Sequence, residues 1–99
     1  MFLIIQHTVR DYDAWKPAFD EHESTRAGYG CLGHTIYRDA DRPNELTILT
    51  RWESRERAEE FARDPSLDEA MRRGGVTTEP RVLWLDEAET TSYAERRAA

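Results

Sequence analysis

Lysine is all but missing from this chain, cysteine occurs once, and no apolar run is long. With Cys31 alone, no intramolecular disulfide forms, which excludes a cystine-stapled secreted scaffold and makes a reducing cytoplasm the expected compartment. No stretch approaches the roughly 20 apolar residues a bilayer-spanning helix needs, so membrane insertion is not expected. Strand-like sequence starts at Phe2 with no charged leader or cleavage site before it, so no targeting segment is expected. Basic residues never gather into a block and acids outnumber them by 6, which leaves no electrostatic footprint for nucleic acid or anionic lipid. Lys16 stands alone among 14 basic residues, the others being arginines. Their planar forks suit carboxylate or phenolate-like oxygens, although codon bias accounts for such usage equally simply.

What is present fits one folded domain. Charged residues make up 34% and hydrophobic ones 38% of 99 residues, enough for one small core and too little for two. Phe2 to Val9 reads as a strand. A helix follows, capped by Asp11 or Asp13, with Trp15, Phe19, His22 and Arg26 along one face and Gly28 and Gly30 at its end. Pro17 is awkward past a first turn, so a late or bent start at Asp13 is expected. Cys31 to Asp39 and Glu45 to Glu53 form a hairpin through Ala40-Asp41-Arg42-Pro43-Asn44. Ser54 caps a second helix, Asp64-Pro65 interrupts it, and Ser66-Leu67-Asp68-Glu69 has the pattern of a capping box that restarts it. Gly74-Gly75 stops it, and Arg81 to Asp86 is the fourth strand. The expected domain spans residues 1–89, with a polar tail over residues 90–99.

Strand, helix, strand, strand, helix, strand folds into a ferredoxin-like α+β layer: a four-stranded antiparallel sheet with both helical segments on one face. Alternation makes both sheet faces apolar. Strand one sends Phe2 and Ile4 one way and Leu3, Ile5 and Val9 the other. Strand four splits Val82 and Trp84 from Leu83 and Leu85, and strand three splits Ile48 and Trp52 from Leu49. One helical layer shields one face. Each large apolar side chain left in water forfeits roughly 1.5–3 kcal/mol, so a second copy of the chain is the expected cover, giving a homodimer through the sheet face.

The stretch His7-Thr8-Val9-Arg10-Asp11-Tyr12-Asp13-Ala14-Trp15-Lys16, with Pro43-Asn44-Glu45-Leu46, Trp52-Glu53 and Ala58 to Phe61 leading to Leu67-Asp68-Glu69-Ala70-Met71, resembles the dimeric α+β barrel superfamily and its antibiotic biosynthesis monooxygenase-like domains. The resemblance covers about residues 2–88. It implies a dimeric α+β barrel and a pocket between helices and sheet lined by Trp, Tyr, Arg and His. Relatives include cofactor-independent oxygenases of aromatic polyketides, haem-degrading enzymes and cyclases. Haem degradation is disfavoured, because those relatives use a histidine from the second helical region and none follows His34 here.

Within that pocket the chemistry-bearing residues are His7, on the face of Leu3 and Ile5, and His22, one turn beyond Phe19. Imidazole is the side chain suited to abstracting a proton from a phenol or activated methylene near neutrality; a hydrogen-bonded packing histidine is the alternative for each. Arg51 is a candidate to hold an enolate or carboxylate oxygen, or to form a salt bridge across a dimer. Trp15, Tyr37, Trp52, Phe61, Met71 and Trp84 are the candidate walls for a flat ligand, and equally ordinary core. No close pair of ligating residues indicates a metal, and Cys31 reads as a plain half-buried thiol. No glycine-rich phosphate loop or dinucleotide motif occurs, so no cofactor is expected. The expected function is a cofactor-independent monooxygenase-like enzyme acting on an aromatic or polyketide-type metabolite by histidine-assisted deprotonation. A non-catalytic ligand-binding or assembly homodimer, and a cyclase or isomerase using the same base, remain open beside it.

Overall fold

In the computed structural model, which describes residues 1–94, the chain runs β1 (Phe2–Thr8), α1 (Tyr12–Glu21), α2 (Glu23–Gly28), β2 (Cys31–Arg38), β3 (Glu45–Trp52), α3 (Arg55–Ala62), α4 (Pro65–Arg73) and β4 (Arg81–Leu85). The strands form one antiparallel sheet in the order β2-β3-β1-β4. This is the ferredoxin-like α+β arrangement, with β1 and β3 central. Residues 95–99 of the expected tail lie outside the described residues.

Register decides which side chains meet the helices. Leu3 pairs with Thr50 and Trp84, Ile5 with Ile48 and Val82, and His7 with Leu46, so these share one face. Leu3 and Trp52 there pack on Ala58 and Phe61 of α3, while Val9, Leu46 and Ile48 pack on Trp15 of α1. Thr50 is a buried hydroxyl with both capacities used: its Oγ1 donates to the Leu3 carbonyl and accepts from Trp52 Nε1, each at 2.7 Å. That arrangement removes the penalty of an unpaired buried polar group and locks the indole. On the opposite face lie Phe2, Ile4, Leu49, Leu83 and Leu85, none of them fully buried and Leu85 44% exposed. Both faces are apolar, and the helices cover one.

Three local expectations are corrected. Asp11, not Asp13, caps α1, accepting from the Ala14 amide at 3.2 Å, and Pro17 sits inside the helix. The Asn44 side chain holds this early start in place: its Oδ1 accepts from the Tyr12 amide at 2.9 Å and its Nδ2 donates to the Arg10 carbonyl at 3.2 Å. The helix expected to run on to Gly28 divides at His22, because the Phe19 carbonyl accepts from the His22 amide and from the Arg26 guanidinium. Finally, α4 is capped by Asp64 with Pro65 in its first turn, not by Ser66. Proline's fixed φ suits that position, and the Asp64 carboxylate takes the Ser66 amide at 2.8 Å.

The layers meet most tightly at the end of α4. A Cβ on Gly74 would lie 2.8 Å from Trp15 Cδ1 and 3.3 Å from the Ala70 carbonyl, while the backbone there is ordinary helical, φ −73°. Close approach to the indole, not turn geometry, requires glycine. We predict that Gly74→Ala destabilises the fold by about 1–3 kcal/mol, the range for overpacking. Thermal unfolding measures it, and an unchanged Tm would contradict the packing described.

Candidate functional site

The stripe Trp15, Phe19, His22 and Arg26 crosses the break between α1 and α2 and faces the sheet. Opposite it stand Ile5 and His7 of β1 and Ile48 and Thr50 of β3. Phe61 of α3 and Leu67, Ala70 and Met71 of α4 close the end. Between them is a cavity of about 50 Å³. Ligand sites usually offer roughly 300–1,000 Å³, so this space holds water or a small group and not a fused-ring molecule.

The walls are mainly apolar and aromatic, with three basic side chains among them. His7 is 8% exposed, its ring edge-on to Trp15 with centroids 6.0 Å apart, and its Nδ1 is buried with no hydrogen-bond partner. Burial lowers its pKa below the usual 6.5, against a smaller opposing contribution from its own backbone. The imidazole is therefore neutral at pH 7 and has a free nitrogen. His22 is tied down: Nε2 lies 2.8 Å from Ser66 Oγ, and the ring packs on Phe61. Burial first, then the charge of Arg26, lowers its pKa, with Asp64 opposing.

Arg26 is 4% exposed. Its Nη1 donates to the Phe19 carbonyl at 2.8 Å and its guanidinium lies 3.7 Å above the Phe19 ring centroid, yet Nη2 is buried without a partner. Among the described residues no ion pair includes it. Nor do three or more His, Cys, Asp or Glu converge there as a metal site.

The model of the antibiotic biosynthesis monooxygenase family matches residues 11–73, more than half of the chain. The chain belongs to that family. Among curated proteins no sequence matches it. Solved structures give the fold of the family member. A Bordetella bronchiseptica protein with the same family designation superposes with a TM-score of 0.77 at 15% identity, covering 89% of this chain and 96% of the other. SnoaB, a cofactor-independent oxygenase from Streptomyces nogalater, gives 0.69 at 15% identity over 88% of this chain and 93% of its own. A Mycobacterium tuberculosis protein is 27% identical, with a TM-score of 0.63 over 89% and 97%.

Of the residues singled out in the sequence of this monooxygenase-family member, His7, Trp15, His22, Phe61 and Met71 meet at the cavity. Trp52 lies behind the wall, 2% exposed, its ring 5.1 Å from Phe61 and its Nε1 given to Thr50. Trp84 is remote, half-buried beneath the Arg55 guanidinium at 5.0 Å. Arg51 and Tyr37 are on the other face of the sheet. Arg51 pairs with Phe2 and reaches the Leu32 carbonyl at 3.3 Å, while Tyr37 pairs with Thr47 and is 56% exposed. Neither lines the cavity that holds the two histidines, although Tyr37 and His7 border a separate cleft. Arg26 and Thr50 complete the polar part of the wall and were not among the expected site residues. A charged residue continuing the stripe of Trp15, Phe19 and His22 was the available signal for Arg26. No helix among the described residues is long and apolar enough to cross a membrane.

The α4 cap anchors the lid of the cavity. Asp64 accepts from the Tyr29 hydroxyl at 2.5 Å and from the Ser66 amide, and Ser66 in turn meets His22. Hydrogen bonds from the Ser66 side chain, Tyr29 and the Ser66 backbone hold the Asp64 pKa at about 2, below the ordinary 3.8. A depressed carboxylate contributes stability that is complete above its unfolded pKa and lost as pH falls through its folded one. Asp64→Ala is predicted to lower Tm by a few degrees at pH 7, with the gap to wild type narrowing below about pH 4. Thermal unfolding as a function of pH tests this; a gap independent of pH would contradict the role of the charge.

Proposed function

We propose that the protein is a cofactor-independent monooxygenase-like enzyme that deprotonates an aromatic or polyketide-type metabolite, with His7 as the base. One observation carries this reading: His7 is neutral, buried among aromatic walls, and has a ring nitrogen with no protein partner. A packing histidine ordinarily has its polar atoms satisfied. Removing a proton from a methylene flanked by aromatic or carbonyl groups leaves an electron-rich anion. The anion passes electrons to dioxygen, a C–O bond forms as a peroxide anion, the proton held by His7 converts it to the hydroperoxide, and loss of water leaves a carbonyl. One methylene and one O2 become one carbonyl and one H2O, so the balance requires no further reductant. The chain contributes placement, exclusion of water and a base of suitable pKa. His22, held by Ser66, positions the helical wall beside it.

In this reading the working unit is a homodimer whose second subunit covers Phe2, Ile4, Leu49, Leu83 and Leu85. Arg51 and Tyr37 then belong to the covered face and not to the pocket. A cavity of about 50 Å³ favours a second reading, a non-catalytic assembly module, since a fused-ring substrate enters only if α1 and α4 part. The same base acting without oxygen would make the protein a cyclase or isomerase.

Oxygen uptake by the purified protein with an anthrone in air separates these readings. The enzyme reading predicts uptake well above buffer, a fall of about 100-fold or more in His7→Ala, within the general range for loss of a catalytic base, and a rate that rises with pH through the depressed His7 pKa, below 6.5, to a plateau at neutrality. Uptake equal to buffer, or undiminished in His7→Ala, would reject it. Substrate turnover without uptake would favour the isomerase.

A further inference from the structure

Arg26 separates two spaces. On its inner side is the cavity that holds His7; on its outer side a cleft of about 210 Å³ opens between α2 and β2, lined by Glu23, Ala27, Cys31, Leu32, Gly33 and His34. A continuous series of rings joins them. His34 stands edge-on to Phe19 at 4.9 Å, Phe19 packs on Trp15 at 4.9 Å, and Trp15 meets His7 at 6.0 Å. The Arg26 guanidinium lies over the Phe19 ring of that series, 3.7 Å from its centroid.

The charge is the unusual element. A guanidinium 4% exposed is ordinarily paired with a carboxylate, because removing it from water carries a penalty that only an opposite charge and full hydrogen bonding offset. Here the nearby acids do not supply this. Asp20 is held by Lys16 at 2.6 Å, and Glu23 on the rim of the cleft is exposed and makes no ion pair with Arg26. Nη1 alone is engaged, with a carbonyl that also accepts from the His22 amide. A buried, preorganised cation with an unused donor, stacked on an aromatic ring beside an open apolar cleft, matches a flat molecule carrying one ionised oxygen.

We propose that Arg26 is the anion receptor of this protein. It binds the carboxylate or phenolate oxygen of a planar aromatic acid whose rings lie in the outer cleft against Leu32 and His34. This goes beyond the proposed function: the ligand is an aromatic already ionised at one oxygen when it binds, and its rings are held on the opposite side of Arg26 from His7.

Paired probes test it: 2-naphthoate, which has the charge, and 2-naphthamide, which has the same rings and none, with dissociation constants measured by calorimetry. Wild type is expected to bind naphthoate at least tenfold more tightly than naphthamide. Arg26→Met is expected to weaken naphthoate by about tenfold or more, the contribution of a charged hydrogen bond, and to leave naphthamide unchanged. Because the variant also removes an unpaired buried charge, its Tm without ligand should equal or exceed that of wild type, which a purely structural arginine would not give. Absence of naphthoate binding to wild type, equal binding of the two probes, or naphthoate binding undiminished in Arg26→Met would overturn the proposal. Should Arg26→Met not fold, Arg26→Lys, which keeps the charge, must retain the preference for naphthoate that wild type shows, and equal binding of the probes by that variant would overturn it. Neither probe has an oxidisable methylene. Arg26-dependent binding without oxygen uptake from an anthrone would therefore sustain the receptor and reject the oxygenase, and the converse result would do the opposite.

Discussion

One sheet with two apolar faces and helices enough for one of them underlies everything else in this molecule. The paired registers of β1, β3 and β4 put Leu3, Ile5, His7, Ile48 and Trp84 on one side and Phe2, Ile4, Leu49, Leu83 and Leu85 on the other. On the first side the four helices must be laid over β1 and β3 without filling the space completely. They meet at the contact between Gly74 and Trp15, and the remaining gap is the cavity. On the second side the same patterning leaves an apolar face, which the proposed second copy of the chain would cover.

Polar groups inside the helix-covered layer fall into two kinds. Thr50, Trp52 Nε1, Asp64 and Tyr29 are mutually satisfied and serve to hold the walls. His7 Nδ1 and Arg26 Nη2 are not satisfied. A fold gains nothing in stability from leaving a buried donor and a buried ring nitrogen unused, and cavities that bind ligands have such groups. In the proposed readings His7 accepts a proton and Arg26 holds an oxygen that is already ionised.

Much of this was legible in the amino-acid sequence, and the reasons differ by residue. Element order followed from periodicity and from Asp11, Ser54 and Gly74-Gly75 as stops and caps, and the ferredoxin-like sheet with two apolar faces followed from alternation alone. The same alternation set His7 inward beside Leu3 and Ile5. Applied consistently, it also set Arg51 on the face of Leu49, away from Ile48 and Trp52, so an Arg51 in the helix-side pocket ran against the strand's own period. Arg26 stood on the stripe with Trp15, Phe19 and His22, but a sequence does not show whether a long cationic side chain ends in solvent or folds back onto a carbonyl seven residues earlier. That return contact also decides the break at His22, which no local signal marked. Capping by Asp64 in place of Ser66 goes with a carboxylate that serves two donors at once, the Ser66 amide on Oδ1 and the distant Tyr29 hydroxyl on Oδ2, again a tertiary fact.

The open face is the part of the account on which both cavity and chemistry lean, since a lone subunit leaves the sheet that forms the cavity floor exposed to water on its other side. Sedimentation equilibrium at micromolar protein addresses it most directly. The account predicts twice the chain mass in wild type and a shift to the single-chain mass when Leu49 is replaced by Asp. A stably folded single chain in wild type at that concentration would contradict it.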